Sequence, residues 1–474
     1  PLGMMLMLMQ SVKDPSMLSG MFGRLVDLDQ QQVADVLVAH PSELSLALSR
    51  ALPAAIPPGS AAETSTSDHE ASMAPLAAFV LQSAKGRERC VVRPEHRRSV
   101  TRAIMRAVAR VNRVSTCTAA CSAVSVLARH CHRALQLEKG VQLVLDSLGQ
   151  VGLRDANFAR EALVALEALA EPPRDDVGEG EEEWMYDDDE DDDRIEDNCM
   201  DMWLGGICGL VGTILRAHAA HPGVGAQGAR ALTAAMRGVP DHMLRDRPSS
   251  TEQMNRMVTW RMLLALAASP GARVAATALE ALSLGIKVLP DDSDELSYQC
   301  EWRILEAMEA HVGPGVDSPS AAVARHACSA LATLLRERGF CSEEGWEAEK
   351  VVTALRIFVR SNAEVVLAGL EAVRALVADS AHHGDELAEL GIGRLLAEAL
   401  LVHRASTDVA DKACLTIRDL RDHCQHRDNA AQSMPRALRE TMFRGRSLRA
   451  IVEASHVSTA GQRIKDAALA VLQP

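Results

Sequence analysis

Residues 120–131 read ACSAVSVLARHC, and residues 413–424 read ACLTIRDLRDHC. Both carry a small residue, an aliphatic residue four positions on, and a leucine three beyond that: Ala120, Val124 and Leu127 in one, Ala413, Ile417 and Leu420 in the other. A spacing of four then three places such residues on one face of a helix. The same phrase starts at Ala162 (with Leu166, Leu169), Ala229 (Thr233, Met236), Ala275 (Leu279, Leu282), Ala327 (Leu331, Leu334) and Gly369 (Val373, Leu376), and a degenerate copy ends at Leu469 and Leu472. The steps between copies are 42, 67, 46, 52, 42 and 44 residues. A fixed period of this length is the mark of a repeat architecture, in which no unit buries its apolar face alone.

Composition points the same way. Of 474 residues, 47% are hydrophobic but 3% are aromatic, so alanine and leucine must fill the core. With few aromatic and β-branched residues, an all-α fold is expected rather than a β fold. No apolar run reaches the roughly 18–20 residues that span a bilayer; Met202–Leu215 is interrupted by Gly205, Gly206, Gly209 and Gly212. No signal peptide is legible, and Pro1-Leu2-Gly3 reads as a tag scar or the edge of a fragment. Eleven cysteines, an odd number scattered through helical phrases, read as reduced thiols of an intracellular, most simply cytoplasmic, protein.

The one long step, 67 residues, contains an acidic tract. Between Glu171 and Asp201 lie 17 acids and two bases, a net of −15 against −14 for the whole chain, so the remainder is close to neutral. An acidic insertion is expected at 174–198, with Trp184 and Tyr186 as its aromatic contacts for a basic surface. The opposite sign occupies 85–113, with ten bases and two acids. There Arg98, Arg102, Arg106, Arg110 and Arg113 are expected as a stripe on one helix, available to an acidic partner, phosphates or anionic lipid. No aromatic residue interleaves with them, which disfavours single-stranded nucleic acid. Residues 1–52, rich in methionine, read as a short helical arm able to dock on its own chain; 53–75 read as a Pro/Ser/Thr/Ala linker, and 76–474 as the repeat array.

A second phrase precedes the first in three places: Gly140-Val141 before QLVLDSL, Gly206-Ile207 before CGLVGTIL, and Gly391-Ile392 before GRLLAEAL. Each glycine suits a sharp bend between helices. Together the two phrases resemble the armadillo repeat, with the HEAT repeat as its near neighbour. The resemblance implies a right-handed α-solenoid of about seven to eight repeats, each a short helix, a Gly turn and two longer helices. Two repeats, near 240–300 and 285–340, carry longer inserts, and their middle helix matches poorly.

The resemblance also implies a groove lined by the last helix of each repeat. In the nuclear-import adaptors of that family, Trp and Asn recur two and six positions after the small residue. This chain departs from them: the pairs are Ser122 and Val126, Val164 and Ala168, Ala231 and Ala235, Thr277 and Ala281, Ser329 and Thr333, Glu371 and Ala375, and Leu415 and Asp419. A floor of small residues, expected at the first five pairs, would admit a partner helix or peptide rather than a Lys-rich signal.

Catalytic and metal motifs amount to coincidences of the repeat. Cys117, Cys121, His130 and His132 have zinc-ligand chemistry, but the first two occupy core positions of one helix, and Cys414, His423, Cys424 and His426 arise from the repeat itself. Asp187–Asp193 lacks the glycine of a calcium loop. No Gly-rich phosphate loop or Gly-x-Ser-x-Gly occurs. The expectation is a scaffold or adaptor, or a subunit of a larger assembly, that binds protein partners along its groove, with no catalysis, cofactor or metal. The alternative is an adaptor docking on nucleic acid or anionic membrane through 98–113.

Overall fold

The computed structural model describes residues 94–109, 114–128, 131–171, 198–240, 243–244, 250–288, 294–339, 346–403 and 405–425. The arm at 1–52, the linker at 53–75, Trp184 and Tyr186, and the last degenerate phrase lie outside the described residues. What is described is helical: α1 Pro94–Val108, α2 Val114–Leu127, α3 His132–Leu137, α4 Gly140–Val151, α5 Ala156–Ala170, α6 Asn198–Leu204, α7 Ile207–Ala217, α8 Pro222–Gly238, α9 Ser250–Ala267, α10 Ala272–Gly285, α11 Asp294–Val312, α12 Ala321–Arg338, α13 Trp346–Phe358, α14 Ala363–Asp379, α15 Ala381–Glu389, α16 Ile392–Val402 and α17 Thr407–Gln425. No strand occurs among the described residues.

Two compact units divide at Thr259/Trp260, within α9. In the first, α2 packs on α5 and α5 on α8; in the second, α10 packs on α12, α12 on α14 and α14 on α17. These seven helices are the seven that carry the recurring phrase. Every small, aliphatic and leucine or methionine position in all seven copies is buried. A second layer runs beside each column: α4 packs on α5 and α7 in the first unit, while α11, α13 and α16 pack on α12, α14 and α17 in the second. The sequence α3-α4-α5 recurs as α6-α7-α8 and as α15-α16-α17, a short helix before two longer ones. The repeats with the poor match have long single helices instead, α9 of 18 residues and α11 of 19.

Local chemistry sets where four of the seven column helices begin. Asp155 accepts from the Phe158 amide at 2.8 Å, Ser320 from Val323 at 3.3 Å, Asn362 from Val365 at 3.1 Å and Ser406 from Val409 at 3.4 Å. Each cap satisfies an amide that the helix cannot, and the residue whose amide it holds is the first to enter the core. The cap stands seven positions before the small residue in all four, at Ala162, Ala327, Gly369 and Ala413.

The bend glycines behave less uniformly than the sequence suggests. Gly206 and Gly391 precede α7 and α16 with φ of 77° and 83°. Before α4 it is Lys139 that takes the left-handed conformation, φ 53°, and Gly140 is already the first helical residue. Gly140 is needed for space instead, because a Cβ there would lie 3.0 Å from the Leu135 carbonyl oxygen. Matching burial along α4 and α7 confirms the offset: Lys139, not Gly140, stands where Gly206 and Gly391 stand.

Glycine also permits one deep insertion. The Trp260 ring is fully buried and lies where a Gly285 Cβ would be, 1.4 Å from the nearest ring atom. Trp203, buried as well, takes the Arg256 guanidinium at 4.8 Å from its ring centre. No single helix among the described residues is long and apolar enough to cross a membrane, and the apolar stretch at 202–215 is split into α6 and α7, bent by 69° as a pair.

Candidate protein-interaction surface

The column helices were expected to offer a small-residue floor. In the structure Ser122, Val126, Ala168, Ala231, Ala235, Thr277 and Ala281 are buried, whereas Val164, Ser329 and Thr333 are half-buried. Thr277 and Thr333 return their hydroxyls to carbonyls of their own helices. The more accessible side chains of the second unit's column are charged and pair from each helix to the next. His326 on α12 faces Glu280 on α10 at 3.9 Å, and Arg325 on α12 binds Glu364 on α14. Glu371 on α14 lies between Arg336 (3.8 Å) and Lys412 (2.6 Å), and Arg374 binds Asp419 on α17 at 2.6 Å. In the first unit Gln227 on α8 donates to Glu167 on α5. A partner laid on this column meets paired charges as well as alanine.

The arginine stripe is three residues long in the described structure. Helix α1 ends at Val108, so it carries Arg98, Arg102 and Arg106, while Arg110 and Arg113 lie outside the described residues. Arg102 is taken up within the chain, its Nε 2.8 Å from Glu138. The terminal carbonyl of α1 has no helical donor of its own; Val108 O instead accepts from Cys117 Sγ and from Ser147 Oγ, each at 2.8 Å. Cys117 thus ties α1 to α2. Its neighbour Cys121 is held well above the usual thiol range by its hydrogen bond with Cys117 and by complete burial. His132 contacts Asn198, and His130 lies outside the described residues.

A different surface stands out on the second unit. Tyr298 and Trp302 lie one turn apart on α11, and Trp346 opens α13, which packs against α11. They are 50%, 47% and 46% exposed, and the Trp302 and Trp346 rings lie 6.1 Å apart, tilted by 41°. Around them are the exposed carboxylates of Glu295, Glu306, Glu309 and Glu349. Arg303 pairs with Glu306 and Lys350 with Glu309, which leaves the rim without a free base among these residues. The sequence reading passed over this trio because its members are separated by up to 48 positions and share no motif. Their scarcity was the available signal: the chain has five Trp and two Tyr.

A third arrangement recurs between helices of the second layer. His218, just past α7, hydrogen-bonds through Nε2 to Gly152 O, just past α4, at 2.6 Å. His403, just past α16, does the same to Val359 O, just past α13, at 2.8 Å, and His311 at the end of α11 reaches Ser269 O beyond α9 at 2.9 Å. Each histidine closes one helix end onto the carbonyl left exposed at another.

No family model matches the chain, and no curated protein matches it either. Similar folds exist among solved structures. One is an engineered protein, Northeast Structural Genomics Consortium target OR497, with a TM-score of 0.66 and 14% identity, the match covering 98% of this chain and 97% of that one. Another comes from work on the phosphorylation-switched interaction between cadherin and β-catenin, with a TM-score of 0.55 and 14% identity over 85% of this chain and 66% of that one. At such identity the likeness concerns fold alone.

Proposed function

We propose that this chain is a non-catalytic interaction scaffold built as an armadillo-type solenoid, which binds protein partners. The observation that carries the reading is the cluster of Tyr298, Trp302 and Trp346. Leaving three large amphipathic rings half in water forgoes burial worth on the order of 1 kcal/mol or more each. Trp and Tyr are the residue types that most often dominate the energetics of protein interfaces. The carboxylate rim favours a partner segment with cationic side chains, which can also lie against the ring faces. The cadherin–β-catenin neighbour is consistent with an interaction role for such a fold.

Docking along the column helices remains part of the proposal, through Val164, Ser329, Thr333 and the charged rungs beside them. Because those rungs are ionic, binding there weakens with added salt; at the aromatic cluster salt screens only the carboxylate rim, and the contact with the rings persists. The test is cross-linking mass spectrometry on the full chain isolated from its native source, with the W302A/W346A variant in parallel. The expected outcome is a small reproducible set of partners cross-linked near α11 and α13 whose recovery falls at least about tenfold in the variant. Equal recovery from both proteins would sink the aromatic-surface reading.

A further inference from the structure

A cavity of about 480 Å³ opens in the second unit between the end of α13 and the start of α16. Its walls carry three guanidinium groups, Arg356 from α13, Arg360 from the turn that follows it and Arg394 from the first turn of α16, against one carboxylate, Glu398. Arg356 donates to Leu390 O at 2.6 Å, and Arg360 pairs with Glu398. Arg394 is exposed and has no side-chain partner among the described residues. The first turn of α16 opens at Gly391, which has no side chain to cap it, so its amides add partial positive charge to the same wall.

The packing does not require these arginines. The α13/α16 junction is closed by His403 on Val359 O, the α4/α7 junction by His218 on Gly152 O, and the α9/α11 junction by His311 on Ser269 O. Counting from those clasps, the positions of Arg356, Arg360 and Arg394 are held by Gly149, Leu153 and Gly209 at α4/α7, and by Leu266, Pro270 and Trp302 at α9/α11. The same junction therefore forms twice with no base in any of the three places. With Arg360 paired to Glu398, the cavity keeps the uncompensated charges of Arg356 and Arg394, and an anion between them offsets their repulsion.

We propose that this cavity binds a tetrahedral phosphoryl oxyanion. Guanidinium groups match such oxygens with paired N–H donors, and each has five to offer. The site lies in the second layer of helices, apart from the column of α12, α14 and α17, and it does not rest on the scaffold reading above.

The test uses the full chain at constant ionic strength and two probes: inorganic phosphate followed by calorimetry, and a fluorescein-labelled phosphoserine peptide of otherwise neutral sequence beside its unphosphorylated form. Saturable, phosphate-dependent binding is expected. Arg394→Ala and Arg356→Ala should each weaken it by at least about tenfold, while Arg418→Ala, removing an exposed arginine of α17, leaves it unchanged. Arg394→Ala should keep the wild-type helical circular dichroism and melting temperature, which separates lost binding from lost folding. Tighter binding of the phosphopeptide than of free phosphate places the oxyanion on a partner segment; equal affinity makes the ligand a small anion. Absence of saturable binding, indifference to both cavity variants, or an equal loss in Arg418→Ala would overturn the site. The W302A/W346A cross-linking result is independent of each of these.

Discussion

Lys139 is the single non-glycine residue with positive φ among the described residues, and it stands where Gly206 and Gly391 stand in two other repeats. An L-residue in the left-handed region meets its own carbonyl through Cβ, at a cost of about 1–2 kcal/mol that glycine escapes. Glycine also gains entropy in the unfolded chain, which offsets part of the relief. Lys139→Gly should therefore stabilise the first unit by about 0.5–1 kcal/mol, read as a higher denaturant midpoint at unchanged slope. Gly140→Ala should act in the opposite sense, because its Cβ would press on the Leu135 carbonyl. A bend was legible in the sequence from Gly140-Val141, Gly206-Ile207 and Gly391-Ile392. Which residue supplies the left-handed φ was not, since a Lys-Gly pair allows either residue to turn and the choice depends on how Leu135 and α4 meet.

At the scale of elements, the column helices were legible because their code is local. Small, aliphatic and leucine positions at spacings of four and three bury one face of each helix; the Asp155, Ser320, Asn362 and Ser406 caps, at one fixed distance before four of them, emerged only from the structure. The histidine clasps were not legible, since each bond joins residues 42 to 66 positions apart. They make a distinct prediction. His218 and Gly152 are both buried, so His218→Ala leaves a buried carbonyl without a donor and should cost about 1–3 kcal/mol. His403 is half-buried and water can replace it, so His403→Ala should cost less. Denaturation of the two variants, compared at equal slope, checks the order.

Taken whole, the described chain is two units of stacked helices, and nearest-neighbour stacks of this kind need not unfold as one. Buried thiols report on both. Cys121 and Cys208 lie in the first unit, and Cys300 and Cys328 in the second, all buried. Burial pushes Cys300 and Cys328 up to about 12. Below pH 9 both states hold the proton; between 9 and about 12 the unfolded chain releases it and the folded chain does not. Stability should thus fall as pH rises through that window. In pulsed alkylation across a denaturant series near pH 8, the four thiols should stay unreactive in the native protein. Cys121 and Cys208 should then become reactive at a different midpoint from Cys300 and Cys328. Four coincident midpoints would show one cooperative unit instead.

The sequence by itself determined the helical class, the seven column helices and their inward faces, because an apolar face at helical spacing is a property of neighbouring residues. It also marked the acidic tract and the basic stretch, which are matters of composition. Tertiary structure decided what the accessible surface is made of. It buried most of the small residues expected as a groove floor, crossed the second unit's column with ion pairs, and tied Arg102 to Glu138. It gathered Tyr298 and Trp302 with Trp346, and Arg356 and Arg360 with Arg394. Those juxtapositions arise where one helix packs on another, and a surface composed of side chains from distant positions has no local period to reveal it.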